Sequence, residues 1–280
     1  MQKSQVLLVG AAVALLVVLY AFGRTVPRSD KKAMSTAAPM QGGREVAPIA
    51  FSELLESAKK KISAEQLLQI NAIETNTVRG DVKTQQIAAY KKLYTTWDSL
   101  NQLPVAAHYL GEAAKLENSE KSLTFAANLF LTHLQHAEDP GIAKWEAQQA
   151  IALYDQAIAL NPENDTIKIS QAMVYMNSGE PMTGVGKLRE VVAKHPDNID
   201  AQVTLANLAI TSGQYDKAIE RLEEVSKKHP DNAKVIFVLA EAYRSKGDKK
   251  KAVELFEKSK QFMDDPELKK EVDSYIKSIQ

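Results

Sequence analysis

Apolar residues recur every three or four positions along most of this 280-residue chain, a spacing typical of amphipathic helices. Ser63 followed by Gln66 also predicts a capping box, in which two side chains satisfy backbone groups at a helix start. An enlarged loop is predicted over residues 138–141. The chain beyond residue 48 is therefore predicted to be all-α. Its helices are predicted near residues 52–61, 64–79, 82–100, 105–117, 121–136 and 145–160, in three hairpins over 165–264, and from 266 onward.

The N-terminal segment has a different pattern, because residues 6–22 read VLLVGAAVALLVVLYAF without a charged residue. At ~1.5 Å per residue such a run is just long enough to cross a bilayer as a helix. A cleaved signal peptide is the alternative, but its apolar core is usually ~7–15 residues, and Ala21-Phe22-Gly23 is a poor cleavage site. We therefore predict an uncleaved transmembrane anchor over residues 1–23.

Residues 24–48 show neither helical nor strand periodicity and contain three prolines and a Gly-Gly pair. This composition predicts a flexible tether, with a root-mean-square span of about 25–30 Å. Four basic residues follow the anchor closely, whereas Lys3 stands alone before it. This bias favours a cytoplasmic body, although the rule is weakest for long downstream domains. The four residues are Arg24, Arg28, Lys31 and Lys32.

The second half of the chain repeats with a period of 34 residues. Pro162, Pro196 and Pro230 mark the period, and each is followed by an acidic residue and an asparagine. Because proline cannot continue a helix and asparagine can cap the next one, each phrase predicts a turn between two helices. Further positions in register are Gly179, Gly213 and Gly247; Ala172, Ala206 and Ala240; Gly184, Ala218 and Ala252; and Leu188, Leu222 and Phe256.

Each class of repeated residue has a structural reason. The glycines stand where a helix end requires a left-handed residue before a tight turn. The small residues allow two antiparallel helices to approach closely, and the larger ones fill the space between hairpins. The period therefore predicts stacked helical hairpins.

This helix-turn-helix period resembles the tetratricopeptide repeat, with three clear units over residues 165–264. The departures from the family pattern are Gln171 in place of Leu, Gly184 in place of Ala, and Asp264 in place of Pro. The resemblance implies a solenoid whose repeats bind protein or peptide partners.

The remaining parts of the body follow from that resemblance. Residues 49–164 are interpreted as degenerate hairpins of the same type, and residues 265–280 as a C-terminal capping helix with one polar face. Anchor, tether and repeats together are also similar in layout to the YfgM-like proteins of bacterial envelopes. That layout implies a bacterial inner membrane and a periplasmic body, against the charge bias.

In tetratricopeptide solenoids the first helix of each hairpin lines a concave face on which partners dock. The predicted groove is mainly apolar, so we expect an apolar or amphipathic guest segment, with an asparagine able to bond its backbone. The alternative is that the apolar side chains are core between units. The predicted groove residues are Ile169, Met173, Val203, Asn207, Phe237, Glu241 and Arg244.

Composition excludes several functional classes. The chain has 35 basic and 35 acidic residues, so its formal net charge is zero, and it contains no cysteine. Without cysteine there is no disulfide framework and no thiolate metal site. Nucleic acid is not expected as a partner, because phosphate binding requires an excess of basic residues on one face.

Candidate catalytic chemistry is sparse. His133 and His136 lie at helical spacing before Glu138 and Asp139, a pattern that could hold zinc in a metal-dependent enzyme. No third ligand is fixed in geometry, however, and a helix C-terminus favours histidine in any case. We therefore predict no metal site, no cofactor and no enzymatic activity.

The sequence thus predicts a membrane-anchored scaffold that binds a protein partner. An alternative within the same fold is a chaperone-like or translocon-associated holder of emerging polypeptides in the bacterial envelope. Self-association through exposed terminal hairpins is left open.

Overall fold

The computed structural model of this chain describes residues 46–79 and 82–279. The predicted anchor and nearly all of the predicted tether lie outside these residues. Within the described ranges, no helix combines the length and apolar character needed to cross a membrane.

The described part of the chain contains thirteen helices and no strand, which confirms the all-α prediction for this part. The helices are α1 Phe51–Lys59, α2 Ala64–Arg79, α3 Lys83–Ser99, α4 Leu103–Glu117, α5 Glu120–Leu134, α6 Pro140–Leu160, α7 Asp165–Asn177, α8 Pro181–Lys194, α9 Ile199–Thr211, α10 Tyr215–Lys228, α11 Ala233–Lys246, α12 Lys249–Gln261 and α13 Pro266–Ile279. Consecutive helices pack against each other from α2 to α13, and α1 packs against α4.

The predicted capping box at the start of α2 is confirmed. The backbone N–H of Ser63 donates to Gln66 Oε1 at 2.8 Å, and the N–H of Gln66 donates to Ser63 Oγ at 3.2 Å. Both bonds satisfy backbone donors that have no partner inside the helix.

Helix α6 begins at Pro140, inside the loop predicted over residues 138–141 and five residues before its predicted start at 145. Asp139 caps this start, since its Oδ1 accepts from the N–H groups of Gly141 at 2.7 Å and Ile142 at 2.9 Å. Proline is well suited to the first helical position, where its missing N–H costs no hydrogen bond. The chain entering the body contacts the same place, because the N–H of Ile49 donates to the Gly141 carbonyl at 3.2 Å.

The repeat signals have the predicted conformations. Asn164, Asn198 and Asn232 each accept a hydrogen bond from the first turn of the helix that follows, at 3.0–3.1 Å. The three glycines at the intervening helix ends have φ between +73° and +98°. The repeats therefore stack, because the first helix α7 contacts the next first helix α9, and α9 contacts α11.

The buried side chains form three groups. The first group joins α1 to α7 around Trp97, Phe130 and Tyr154. A second group joins α9 to α13 around Leu222 and Phe256. Between them lies a small group, in which the buried members are Ala172, Leu188 and Leu205.

Candidate protein-binding groove

A surface groove lies between the last first helix, α11, and the terminal helix α13. Its volume is about 400 Å³. We call it the α11–α13 groove. Its lining residues are Phe237 and Glu241 from α11, and Leu268, Glu271, Val272 and Tyr275 from α13.

Helical spacing explains why these side chains face one another. Phe237 and Glu241 are four residues apart, so both project from the same face of α11. Leu268, Val272 and Tyr275 follow the same rule on α13. The start of α13 is fixed by Asp265, whose Oδ1 accepts from the N–H of Glu267 at 2.9 Å.

The floor of the groove is aromatic. The ring of Phe237 packs edge-on against Phe256, with centroids 5.0 Å apart and an interplanar angle of 64°. Phe256 is fully buried, and its ring also packs edge-on against Tyr275 at 5.3 Å. Such edge-to-face pairs have a preferred geometry, so the floor should be rigid.

The rim of the groove carries three charged side chains. Glu241 accepts two hydrogen bonds from Arg244, at 3.0 Å from Nε and 2.9 Å from a terminal nitrogen. The Arg244 guanidinium lies 5.7 Å from the centre of the Tyr275 ring. Burial, followed by the nearby Glu241 carboxylate, raises the pKa of Tyr275. Glu271 has no ion pair within the described residues, so the rim keeps an uncompensated negative charge.

Leu268 provides the free apolar surface of the groove. Its side chain is 43% exposed, whereas Val272, one turn later, is 3% exposed. A single exposed leucine is common on protein surfaces. Here it borders a concave space with an aromatic floor, and that combination is typical of a site that receives an apolar side chain.

The structure brings some of the predicted groove residues together. Phe237 and Glu241 line the groove, and Arg244 adjoins it through Glu241 and Tyr275. Ile169 and Met173 are half-buried on α7, where Ile169 packs on the small central group.

The other two predicted residues differ from each other in exposure. Asn207 is exposed on α9. Val203 is only 2% exposed and packs in the second buried group, so it has no free surface to offer a partner. This placement corrects its assignment to the groove and matches the alternative interpretation, in which this valine is core between units.

Sequence reasoning missed the contribution of α13. The sequence predicts residues 265–280 only as a capping helix with one polar face, and it assigns no partner-binding residue there. The spacing of Leu268 and Tyr275, seven residues apart, is the signal that could have indicated a second apolar stripe facing α11.

The two histidines considered as metal ligands are not brought together with a carboxylate cluster. His133 Nδ1 lies 3.6 Å from Oε1 of Glu146, which is 1% exposed, whereas His136 is exposed. Asp139 is engaged in capping α6. Across residues 46–79 and 82–279, no three acidic or histidine side chains are grouped so that they could hold a metal ion.

Comparison with known proteins agrees with the repeat pattern. Residues 185–228 and 209–270 match a family model described as tetratricopeptide repeat, which confirms the predicted repeat type for this region. No curated protein matches the chain.

Several solved structures are similar to this chain. YrrB, described as a TPR protein with an unusual peptide-binding site, is 17% identical, with 69% of this chain and 98% of that chain covered at a TM-score of 0.41. MamA from Desulfovibrio magneticus RS-1 is 22% identical, with coverages of 65% and 96% and a TM-score of 0.43. A tetratricopeptide repeat protein from Parabacteroides merdae is 15% identical, with coverages of 82% and 98% and a TM-score of 0.43.

Proposed function

We propose that this chain is a membrane-anchored tetratricopeptide scaffold that binds an apolar or amphipathic segment of a protein partner in the α11–α13 groove. The observation that carries this proposal is the exposed Leu268 beside a space of about 400 Å³ with an aromatic floor. Both Phe237 and Glu241 lie in the groove, so it coincides with part of the face on which partners of such repeats dock.

The chemistry of the groove specifies the kind of guest. Its volume suits a few side chains rather than a folded domain, so one or two aliphatic or aromatic anchors would enter it. Glu271 on the rim would favour a guest that carries a lysine or arginine next to these anchors. An amphipathic helix meets both requirements on one face.

The location of the scaffold rests on the sequence. The uncharged run over residues 6–22 supports anchoring in a bilayer, and the layout shared with YfgM-like proteins supports a bacterial inner membrane. That layout favours a periplasmic body, whereas the basic residues after the anchor favour a cytoplasmic one. A reporter fused after Gln280 that is active only in the cytoplasm separates the two.

In-cell photo-crosslinking tests the groove. A photoreactive residue at position 268 of the full chain should give one discrete crosslinked protein, because this side chain is exposed at the groove. Glu271→Lys, in the same chain, should weaken that band by reversing the charge on the rim. The matched control places the probe at Leu160, which is 46% exposed on α6 and should not give the band.

Two results would contradict the proposal. A smear of many newly made chains would indicate a holder of emerging polypeptides rather than a scaffold with a dedicated partner. The same discrete band from positions 160 and 268 would show that the partner does not select the groove.

A further inference from the structure

A second pocket lies between two consecutive second helices, α8 and α10, with α9 beneath them. Its volume is about 470 Å³. We call it the α8–α10 pocket. The lining residues that matter to its chemistry are Met182, Val185, Arg189, Leu205, Leu208 and Arg221.

One side of the α8–α10 pocket is apolar and accessible. Met182 is 73% exposed, the highest exposure among the large apolar side chains of the described residues. Val185 and Leu208 are half-buried, and Leu205 is 7% exposed beneath them. Methionine is flexible and polarisable, so it can adapt to a variety of apolar guests.

The other side of the pocket carries two arginines. Within the described part of the chain, neither Arg189 nor Arg221 forms an ion pair with a carboxylate, and Arg221 donates to the amide oxygen of Gln202. Burial, followed by the charge of Arg189, lowers the pKa of Arg221. Two like charges therefore line one pocket, with Arg221 half-buried and Arg189 exposed.

Three cations elsewhere in the same repeats are paired with carboxylates, whereas Lys217, which also lines the pocket, donates to the amide oxygen of Gln214 at 2.8 Å. Lys194 bonds Glu163 at 2.7 Å, and its counterpart one repeat later, Lys228, bonds Asp197 at 2.7 Å. Arg244 is paired with Glu241. The lining of the α8–α10 pocket itself contains the two arginines and Lys217 but no carboxylate, so its wall is positively charged in a chain of zero net charge.

We propose that the α8–α10 pocket binds an acidic amphipathic segment of a second protein partner. An apolar side chain of that segment would enter between Met182 and Leu208. A neighbouring carboxylate would accept hydrogen bonds from the free guanidinium donors of Arg189 and Arg221. Its negative charge would also relieve the repulsion between the two arginines.

Charge around the pocket favours a peptide over an anionic membrane surface. Glu190 follows Arg189 directly, and Glu220 and Glu224 flank Arg221; all three carboxylates are on exposed residues. A bilayer surface requires a continuous basic face, which these carboxylates interrupt. A single carboxylate of a peptide, placed between the two arginines, would not have to contact these three glutamates.

The α8–α10 pocket shares no lining residue with the α11–α13 groove. Binding at one site can therefore be tested without altering the other. A Leu268→Asp variant, which changes only the groove, should bind an α8–α10 ligand as the wild-type chain does.

Peptide binding to the purified full chain in mild detergent tests the proposal. The probe is a fluorescent helical peptide with leucine at i, i+3 and i+7 and glutamate at the positions between, and its control has glutamine in place of glutamate. We expect anisotropy to report binding of the glutamate peptide and at least about tenfold weaker binding of the glutamine peptide. Arg189→Gln with Arg221→Gln should lower affinity by a similar factor.

Matched variants separate the pocket from general charge effects. Lys258→Gln with Lys277→Gln removes the same charge from exposed lysines of α12 and α13 and should leave affinity unchanged. Met182→Gln should weaken the apolar contact, and it cannot disturb the core because this side chain is largely exposed.

Three results would overturn the proposal. The first is equal binding by the wild-type chain and the arginine variant, or no binding of the glutamate peptide. The second is displacement of the peptide by soluble dihexanoyl phosphatidylglycerol at an equal concentration, which would assign the arginines to lipid. The third is a dimer that is lost only in the arginine variant, which would assign the pocket to a second copy of this chain.

Discussion

A Cβ atom added at Gly184 would lie 2.6 Å from the carbonyl oxygen of Ala172 on the facing helix. The same atom would lie 2.6 Å from Cγ of Met176. Real Cβ atoms do not approach a backbone oxygen this closely, so α7 and α8 cross at a distance that only glycine permits. The departure from the usual alanine of the tetratricopeptide pattern therefore has a packing reason.

Gly184→Ala should destabilise the body by about 1–3 kcal/mol, because the new methyl group forces the two helices apart. Gly186→Ala is the matched control, since a Cβ there meets no atom within 4 Å. That control should gain up to about 1 kcal/mol from better helix propensity. Urea denaturation of both variants measures the difference, and equal effects would contradict the close crossing.

Val203→Asp should cost about 3 kcal/mol or more, because it buries a carboxylate where the valine is 2% exposed. Leu268→Asp should cost much less, about 0.5 kcal/mol, because that side chain is already 43% exposed. Urea denaturation with helical circular dichroism checks both values. If the Val203→Asp protein were as stable as the wild-type chain, position 203 would have to be exposed rather than buried.

Asn198→Ala should destabilise the repeats by about 1–2 kcal/mol. Its side chain caps α9 through the N–H of Ala201 at 3.0 Å and also donates to Asp165 at 3.0 Å. Asn207→Ala is the matched control, because this asparagine is exposed within α9. It should be neutral or slightly stabilising, since alanine is the better helix former. Thermal unfolding of the two variants distinguishes them, and equal losses would contradict the capping role.

His108 should make the stability depend on pH. Burial lowers the pKa of its imidazole to about 4, and the ring stacks on Phe51 with centroids 3.5 Å apart. In the unfolded chain the imidazole has its ordinary pKa of ~6.5. The contribution of His108 to the free energy of unfolding is therefore fully present above that pH and is lost as the pH falls toward 4. Lowering the pH from 7.5 to 5 should therefore reduce the free energy of unfolding by about 2 kcal/mol through this group.

His108→Phe should remove this component, so the variant should lose less stability than the wild-type chain over the same pH interval. Urea denaturation at both pH values measures the difference. His136→Gln, which removes an exposed imidazole, is the control for the loss of a histidine as such. An unchanged slope in His108→Phe would show that the folded state accepts the charged imidazole.

Local signals in the sequence predicted local structure well. The reciprocal bonds of Ser63 and Gln66 and the asparagine caps involve residues within three positions of each other, so the sequence contains both partners. The start of α6 was predicted too late, because Pro140 was placed inside the predicted loop 138–141. Asp139 followed by a proline is itself a signal for a helix start.

Contacts between repeats were predicted less well. Whether Val203 faces solvent or the next hairpin depends on the rotation of α9 against α11, which the repeat period does not determine. Leu268 and Phe237 line the same groove only because of where the terminal helix docks, and the sequence of that helix contains no repeat signal. Gly184 was recognised as a small residue at a helix crossing, but the distance that excludes even alanine came only from the structure.

The small buried group between α7, α8 and α9 also has a consequence for how the body unfolds. Neighbouring repeats stabilise one another through their shared apolar surface, and this group has three buried members where the flanking groups have many. In a linear repeat array, partial unfolding is easiest where the interface between neighbouring repeats is weakest. Native-state hydrogen exchange should therefore resolve two cooperative blocks, with the α11–α13 groove in one block and the α8–α10 pocket spanning the seam between them.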